Sequence, residues 1–205
     1  MTFDGPLVLA TRNEGKISEF KSLLTDFNIE IKSLKDFGPI PPVLEDGETF
    51  EDNAVKKACF TAKAIGFPAL ADDSGLVVRA LGGMPGVLSA RYAGDNATDE
   101  EKNIKLLKEM EGVINREAKF ICIISIAVPR GSALIYKGTC EGIIAQKSTG
   151  RQGFGYDPIF YYPNLKKTFA QMSSEEKNRV SHRGRAMAEL QRDFDKVLIW
   201  LRQRL

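Results

Sequence analysis

In Ala69-Leu-Ala-Asp-Asp-Ser-Gly-Leu76 an apolar run stops at two adjacent carboxylates, Asp72 and Asp73. Ser74 and Gly75 follow, and Leu76-Val77-Val78 resumes the apolar pattern. The pattern predicts a buried strand, an acidic turn and a second strand. Neighbours on an extended chain point to opposite sides. One carboxylate is therefore expected to face a cleft while the other braces the turn. Carboxylates at a strand end suit a hard divalent cation such as Mg²⁺, which takes oxygen ligands and keeps several waters. The alternative is an Asx turn, in which Asp hydrogen-bonds its own backbone.

Upstream, Leu7-Val8-Leu9-Ala10 is a short apolar run suited to a first buried strand. Ile17, Phe20, Leu23, Leu24 and Phe27 then recur at helical spacing. The polar loop between them, Thr11-Arg12-Asn13-Glu14-Gly15-Lys16, leads into a helix N-terminus, where free backbone N–H groups and the helix dipole favour a phosphate. Lys16 adds a point charge and Asn13 an amide donor. The loop is not a Walker A motif, because the first glycine of GxxxxGK[ST] is missing and Ile17 replaces Ser/Thr. Its plain alternative is an ordinary strand-to-helix loop with a solvated lysine. The alternation over 29–34 predicts a second strand, and Pro39, Pro41 and Pro42 mark an irregular segment. That segment ends in Glu45-Asp46-Gly47-Glu48. A helix is expected from Thr49 or Phe50 to about Ile65, with Ala54, Ala58, Ala62 and Ile65 as its buried stripe and Glu51, Asp52, Lys56 and Lys57 elsewhere. The acidic cluster either complements that helix dipole or sends Glu45 to a metal alongside Asp73.

Downstream, the glycines and proline of Leu81-Gly-Gly-Met-Pro-Gly86 predict a shaped turn. Thr98 and Glu101 form a capping box for a helix carrying Ile104, Leu107 and Met110. Residues 119–128 and 133–146 read as long strands of a hairpin. Gly150, Gly153 and Gly155 in the loop 148–160 allow close backbone approach to a ligand, although their order is not the GxGxxG of a dinucleotide-binding fold. Phe154 and Tyr156 offer flat faces for a base or pack into the edge of the core. A short helical segment is expected over 172–177. One last helix then starts at Ser181, with Met187, Leu190, Phe194, Val197, Leu198 and Leu201 as its stripe. His182, Arg183 and Arg185 sit at its start, the wrong end for cations by the dipole. An anion or a carbonyl-rich ligand there would account for them. Surface charge and a hydrogen-bonded His182 are the alternatives.

The chain has 205 residues, enough for one domain or two small lobes. Lys+Arg 29 against Asp+Glu 27 leaves a net charge of +2, which does not indicate a nucleic-acid coat. Cys59, Cys122 and Cys140 are widely spaced with no CxxC, as in a reduced cytoplasmic protein without a disulfide framework. With a single His182 they do not make zinc-site spacing. The opening Met-Thr-Phe-Asp-Gly-Pro lacks the basic and apolar regions of a secretory signal, and the longest apolar run, 120–128, is too short to span a bilayer. Neither a membrane nor a nucleic acid is an expected partner.

Taken together, these loops describe seats for phosphates, a metal, a flat base and polar base edges, which is a Mg²⁺–nucleoside triphosphate. The sequence resembles the XTP/dITP diphosphatase family, also called inosine triphosphate pyrophosphatases. The resemblance is carried by Ala10-Thr-Arg-Asn-Glu-Gly-Lys16, by Glu45-Asp-Gly-Glu-Thr-Phe50 with Asn53-Ala54, and by Ala71-Asp-Asp-Ser-Gly-Leu76. It continues in Leu81-Gly-Gly-Met-Pro-Gly86, Ser89-Ala-Arg-Tyr92, Gly153-Phe-Gly-Tyr-Asp-Pro158 and Ser181-His-Arg-Gly184. These segments span nearly the whole chain. Arg12 stands where many members have Gly, and Arg151-Gln152 replaces a more glycine-rich run.

The resemblance implies an elongated α/β fold over residues 1–205: a long, bent, mixed sheet flanked by helices, with a substrate cleft between two lobes. It implies a homodimer, Mg²⁺ dependence, and hydrolysis of ITP, dITP or XTP to the monophosphate and pyrophosphate, which cleanses the nucleotide pool of deaminated purines. By motif, Thr11, Arg12, Asn13, Glu14, Gly15 and Lys16 would hold the triphosphate. Glu45 and Asp73 would position Mg²⁺, with Asp73 also the proton acceptor, Asp72 supporting it and Ser74 contacting substrate. Phe154, Gly155, Tyr156 and Asp157 would meet the base, and Lys177, His182 and Arg183 would donate to its 6-keto group. The rivals are a pyrophosphatase or phosphatase of other specificity, and a non-catalytic nucleotide sensor or RNA-binding module.

Overall fold

The computed structural model describes residues 5–27 and 29–204. Residues 1–4, which carry most of the leader-peptide reading, lie outside the described residues. The chain folds as strands and helices in the order β1 (Pro6–Leu9), α1 (Glu14–Leu23), β2 (Glu30–Ser33), α2 (Phe50–Ile65), β3 (Ala69–Val78) and α3 (Asp99–Glu109). β4 (Glu117–Ala127), β5 (Ala133–Ile144), β6 (Phe160–Tyr162), β7 (Lys167–Thr168), α4 (Ser174–Val180), α5 (His182–Arg192) and α6 (Phe194–Arg202) follow. One seven-stranded sheet runs β2-β1-β3-β4-β5-β6-β7. β1 is parallel to β2 and β3, whereas β6 is antiparallel to β5 and β7, so the sheet is mixed, as expected. No helix among the described residues is long and apolar enough to cross a membrane.

The chain divides into two compact units: Met1–Asp73, Cys122–Gly138 and Ala186–Leu205 form the first, and Ser74–Ile121 with Thr139–Arg185 form the second. The core of the first gathers Leu7 and Leu9 of β1, Phe20 of α1, Ile124 of β4, and Met187 and Val197 of α5 and α6. Burying each such side chain contributes about 1.5–3 kcal/mol. A smaller cluster of the same unit is built from alanines: Ala58 and Ala62 of α2 meet Ala69 and Ala71 of β3 and Ala127 of β4. Side chains this small let helix and sheet approach closely, which brings the flank of α2 up to β3. In the second unit, Phe120, Phe160 and Phe169 centre the core, with Phe120 and Phe160 4.6 Å apart between ring centroids.

Two expectations need correction. Asp72-Asp73-Ser74-Gly75 is not a turn: β3 continues through it from Ala69 to Val78. The carboxylates remain inside a strand because each is met by a lysine, which offsets the cost of burying charge. The expected single C-terminal helix is two, α5 and α6, broken at Asp193. There the Asp193 N–H is shared between the carbonyls of Glu189 and Leu190. The predicted α2 and the Thr98/Glu101 capping box are present with the bounds read from sequence.

Candidate active site

The first unit holds an acidic centre with lysines around it. Asn13 caps α1, its Oδ1 accepting the Lys16 N–H at 3.1 Å. That leaves the amide N–H₂ of Asn13 as the donor end. The Thr11 hydroxyl accepts the Asn13 N–H at 3.2 Å. Arg12 donates to the Ile40 carbonyl at 2.8 Å, and Glu14 pairs with Lys35. Gly15 opens the first turn. Lys16 Nζ lies 2.9 Å from Asp72 Oδ1.

Glu45 and Asp73 meet at Lys57, whose Nζ lies 3.1 Å from Glu45 Oε1 and 3.5 Å from Asp73 Oδ1. Lys57 lies off the alanine stripe, as the sequence places it, and its side chain is nevertheless only 11% exposed. Asn53, Lys57 and Thr61 are all buried, at 1%, 9% and 2% exposure. Their i, i+4, i+8 spacing makes a polar stripe beside the alanine stripe. That spacing was the available signal for Lys57. Asn53 also holds the acidic loop, its Oδ1 accepting the Gly47 N–H at 2.8 Å. A Cβ at Gly47 would meet that oxygen at 2.8 Å, so the close approach needs glycine.

Burial drives the Asp73 carboxyl above its usual pKa; Lys57 and Lys16 oppose the shift, while Glu45 and Asp72 add to it. Burial pushes the Lys57 ammonium down, but Asp73, Asp72 and Glu45 together lift it above the ordinary lysine value. Asp73 Oδ2 is buried and has no hydrogen-bond partner among the described residues. No group of three or more His, Cys, Asp or Glu side chains among those residues makes a metal cage. A pair of carboxylates with one unsatisfied oxygen nevertheless fits Mg²⁺, which is commonly held by one or two carboxylates, waters and substrate phosphates.

The second unit holds an aromatic and cationic centre. Lys177 Nζ lies 4.6 Å from the Phe154 ring centroid, and the Arg183 guanidinium carbon 5.7 Å from it. Both cations are buried, Arg183 at 2% exposure. Arg183 Nη2 reaches the Ser74 hydroxyl at 3.4 Å, and the His182 ring stacks on Phe120 at 4.5 Å. Arg185, by contrast, is exposed and donates to the Thr139 carbonyl. Asp157 serves the loop: its Oδ2 accepts the Phe154 N–H at 2.9 Å and meets Lys177 Nζ at 2.6 Å. The Tyr156 hydroxyl donates to the Ser89 carbonyl at 2.9 Å. The N–H groups of Arg151 and Gln152 both donate to the Ala170 carbonyl, which anchors the segment that departs from the glycine-rich pattern. Two residues of α3 that the sequence reading passed over, Asp99 and Asn103, bind the backbone of Gly155.

The two centres take complementary chemistry. Lysines beside carboxylates and a helix N-terminus suit metal-bound phosphates, while buried donors around an aromatic ring suit a flat, carbonyl-bearing ligand. Comparison with known proteins agrees in kind. The Ham1 family model matches residues 7–193. The dITP/XTP pyrophosphatase of Desulfotalea psychrophila is 56% identical over 199 residues, covering 97% of this chain and 89% of that protein. The dITP/XTP pyrophosphatase of Syntrophobacter fumaroxidans is 58% identical, covering 97% of this chain and 85% of its own. The solved HAM1 protein from Coxiella burnetii superposes with a TM-score of 0.85 at 43% identity, over 93% of this chain and 98% of its own. With a family match that runs from β1 to the end of α5, the chain belongs to the Ham1 family.

Proposed function

We propose that this protein hydrolyses the non-standard purine nucleoside triphosphates dITP, ITP and XTP to the monophosphate and pyrophosphate, as one domain over residues 1–205, and so keeps deaminated purines out of DNA and RNA. The observation that carries the reading is Asp73: a buried carboxylate with Lys57 Nζ 3.5 Å from its Oδ1 and with its Oδ2 left without a hydrogen-bond partner among the described residues. A carboxylate oxygen left open in this way is placed to accept a proton from water. Support for the substrate comes from relatives that bear the name dITP/XTP pyrophosphatase at 56% and 58% identity.

In this mechanism Thr11, Arg12, Asn13, Glu14, Gly15 and Lys16 form the triphosphate loop, with Lys16 and the Asn13 amide as its donors. Glu45 and Asp73 would hold Mg²⁺. When bound, the ion supplies charge neutralisation on the phosphate oxygens. Asp73 takes the proton of the water that attacks the α-phosphorus, and pyrophosphate leaves. Lys16 and Lys57 stabilise the charge that develops. At the base, Phe154 stacks while Lys177, His182 and Arg183 donate to a 6-keto oxygen. Ser74, Gly155, Tyr156 and Asp157 complete the contacts or hold the loop. Adenine presents a donor at that position, so ATP would leave buried donors unpaired, a penalty that reaches about 10⁴-fold in discrimination.

A Mg²⁺-supplemented panel of ITP, dITP, XTP, GTP and ATP tests the reading, with pyrophosphate and orthophosphate assayed separately. Fast pyrophosphate release from the first three is expected. Equal cleavage of ATP, or release of orthophosphate instead, overturns it. Asp73→Asn should lose about 10²–10⁴-fold in kcat while remaining folded; an active variant removes Asp73 as the base. The protein is further proposed to act in the cytoplasm as a homodimer. Cys59, Cys122 and Cys140 are thiols outside any disulfide, which suits a reducing compartment. Sedimentation at twice the chain mass is the expected result.

A further inference from the structure

The peptide of Gly155, in the middle of the aromatic loop, is gripped on both sides by one helix. Asp99 Oδ2 accepts the Gly155 N–H at 2.6 Å. Asn103 Nδ2 donates to the Gly155 carbonyl at 3.0 Å. Asp99 and Asn103 are i and i+4 on α3, so they stand one above the other on one helical face. The helix is itself fixed by the Thr98/Glu101 capping box and by Leu106, which is fully buried. Gly155 has φ of +62°, which glycine adopts without strain, so the two hydrogen bonds and not a steric constraint fix the peptide. Asn103 is only 4% exposed, so its amide is not a surface contact. Burial opposes ionisation of Asp99, but Lys102 and the Gly155 N–H prevail and hold its carboxyl below the usual value. The bond to Gly155 is therefore charge-assisted.

We propose that Asp99 and Asn103 are positioning residues that set where Phe154 stands, and through it the affinity and selectivity for the purine. The proposal rests on the base-stacking role assigned to Phe154 above. Gly155 directly follows Phe154, and the Asp157 carboxylate holds the Phe154 N–H from the other end. With its neighbouring peptide clamped, the Phe154 ring is presented in one place beside Lys177 and Arg183. Losing the clamp leaves the phosphate-binding residues of the first unit untouched. The effect should therefore fall on the base and not on the phosphates.

The test is steady-state hydrolysis of ITP, GTP and ATP by the full-length protein and by Asp99→Ala, Asp99→Asn, Asn103→Ala and Lys102→Met. Inhibition by pyrophosphate and hydrogen–deuterium exchange over residues 150–158 are measured alongside. Asp99→Ala should raise KM for ITP by about tenfold, the order expected for one charge-assisted hydrogen bond, and Asn103→Ala, which removes a neutral bond, by a smaller factor of about three. They should leave kcat within about twofold and pyrophosphate inhibition unchanged, and should narrow the ITP-to-ATP ratio. Asp99→Asn keeps an acceptor without the charge and should recover part of the KM change. Lys102→Met removes the ion pair to Asp99 but not the bond to Gly155, and should move KM less than Asp99→Ala. Faster exchange in 150–158 should accompany the KM change in the alanine variants. Unchanged KM and unchanged exchange in both alanine variants overturn the proposal, as does an equal weakening of pyrophosphate inhibition. A parent enzyme inactive on ITP would instead overturn the proposed function, and this inference with it.

Discussion

Lys57 shows how a single side chain can hold an acidic centre together. Three carboxylates, Asp73, Asp72 and Glu45, act on one buried ammonium. Removing one partner of a buried pair usually leaves an uncompensated charge and costs about 3–5 kcal/mol. Glu45 is 36% exposed and recovers some of its hydration, so the low end applies. Lys57→Met should lower stability near pH 7 by on the order of 3 kcal/mol by urea denaturation, and adding Asp73→Asn should restore part of it. The pH dependence follows from the shifts. The raised Lys57 value keeps its contribution fully present below the ordinary lysine pKa and removes it only as pH rises through the higher, folded value. The raised Asp73 value means that acidification neutralises this partner earlier than usual, so the gap between parent and variant narrows as pH falls through it. A gap that widens in acid contradicts this account. The sequence made Glu45 and Asp73 legible as a pair of carboxylates. It concealed Lys57, because a lysine on a helix beside Lys56 reads as solvated, and only the buried stripe through Asn53 and Thr61 distinguishes it.

At the scale of elements, the sequence located most strands and helices but not their continuity. The apolar stripe from Met187 to Leu201 keeps its spacing across Asp193, so periodicity alone cannot reveal the break between α5 and α6. The acidic run in β3 resembled a turn because propensity ignores the lysines that arrive from elsewhere in the chain. The elbow between α4 and α5 was better signposted, by Ser181-His-Arg-Gly184. There the Ser181 N–H closes α4 on the Lys177 carbonyl at 2.8 Å, and its hydroxyl opens α5 by accepting the Gly184 N–H at 3.1 Å. A Cβ at Gly184 would stand 1.7 Å from the Asn178 carbonyl oxygen. Both atoms belong to the backbone framework, so no rotamer relieves the clash. Gly184→Ala should therefore cost about 3 kcal/mol or more, and should raise KM for ITP by displacing Lys177, His182 and Arg183 together. Gly66→Ala is the informative contrast. Gly66 has φ of +76° but nothing within 4 Å of its built Cβ, so only backbone strain of about 1 kcal/mol applies. Equal thermal shifts for the two variants would show that steric contact at the elbow is not what glycine relieves.

At the scale of the molecule, the division into two units falls inside regular elements and not at linkers. The chain passes from one unit to the other at Asp73/Ser74 within β3, Ile121/Cys122 within β4, Gly138/Thr139 within β5 and Arg185/Ala186 within α5. This explains why composition showed no boundary: no Pro- or Gly-rich tract separates parts that share strands. It also predicts how the protein unfolds. A strand cannot lose its hydrogen bonds in one half without fraying those of the other, so the two units should melt as one cooperative body, as single domains do. The cysteines report on this directly. Cys122 belongs to the first unit and Cys140 to the second, and both are 0% exposed. Burial pushes the Cys140 thiol up to about 11, so in the folded protein it is both shielded and protonated. Unfolding restores its ordinary acidity and its access to reagent. In a Cys59→Ala background, pulsed thiol labelling through a urea series should expose Cys122 and Cys140 at the same midpoint, coincident with the change in Trp200 fluorescence from α6. Labelling of Cys140 at distinctly lower urea than Cys122 would mean that the second unit opens alone, and the shared strands would then not enforce cooperativity.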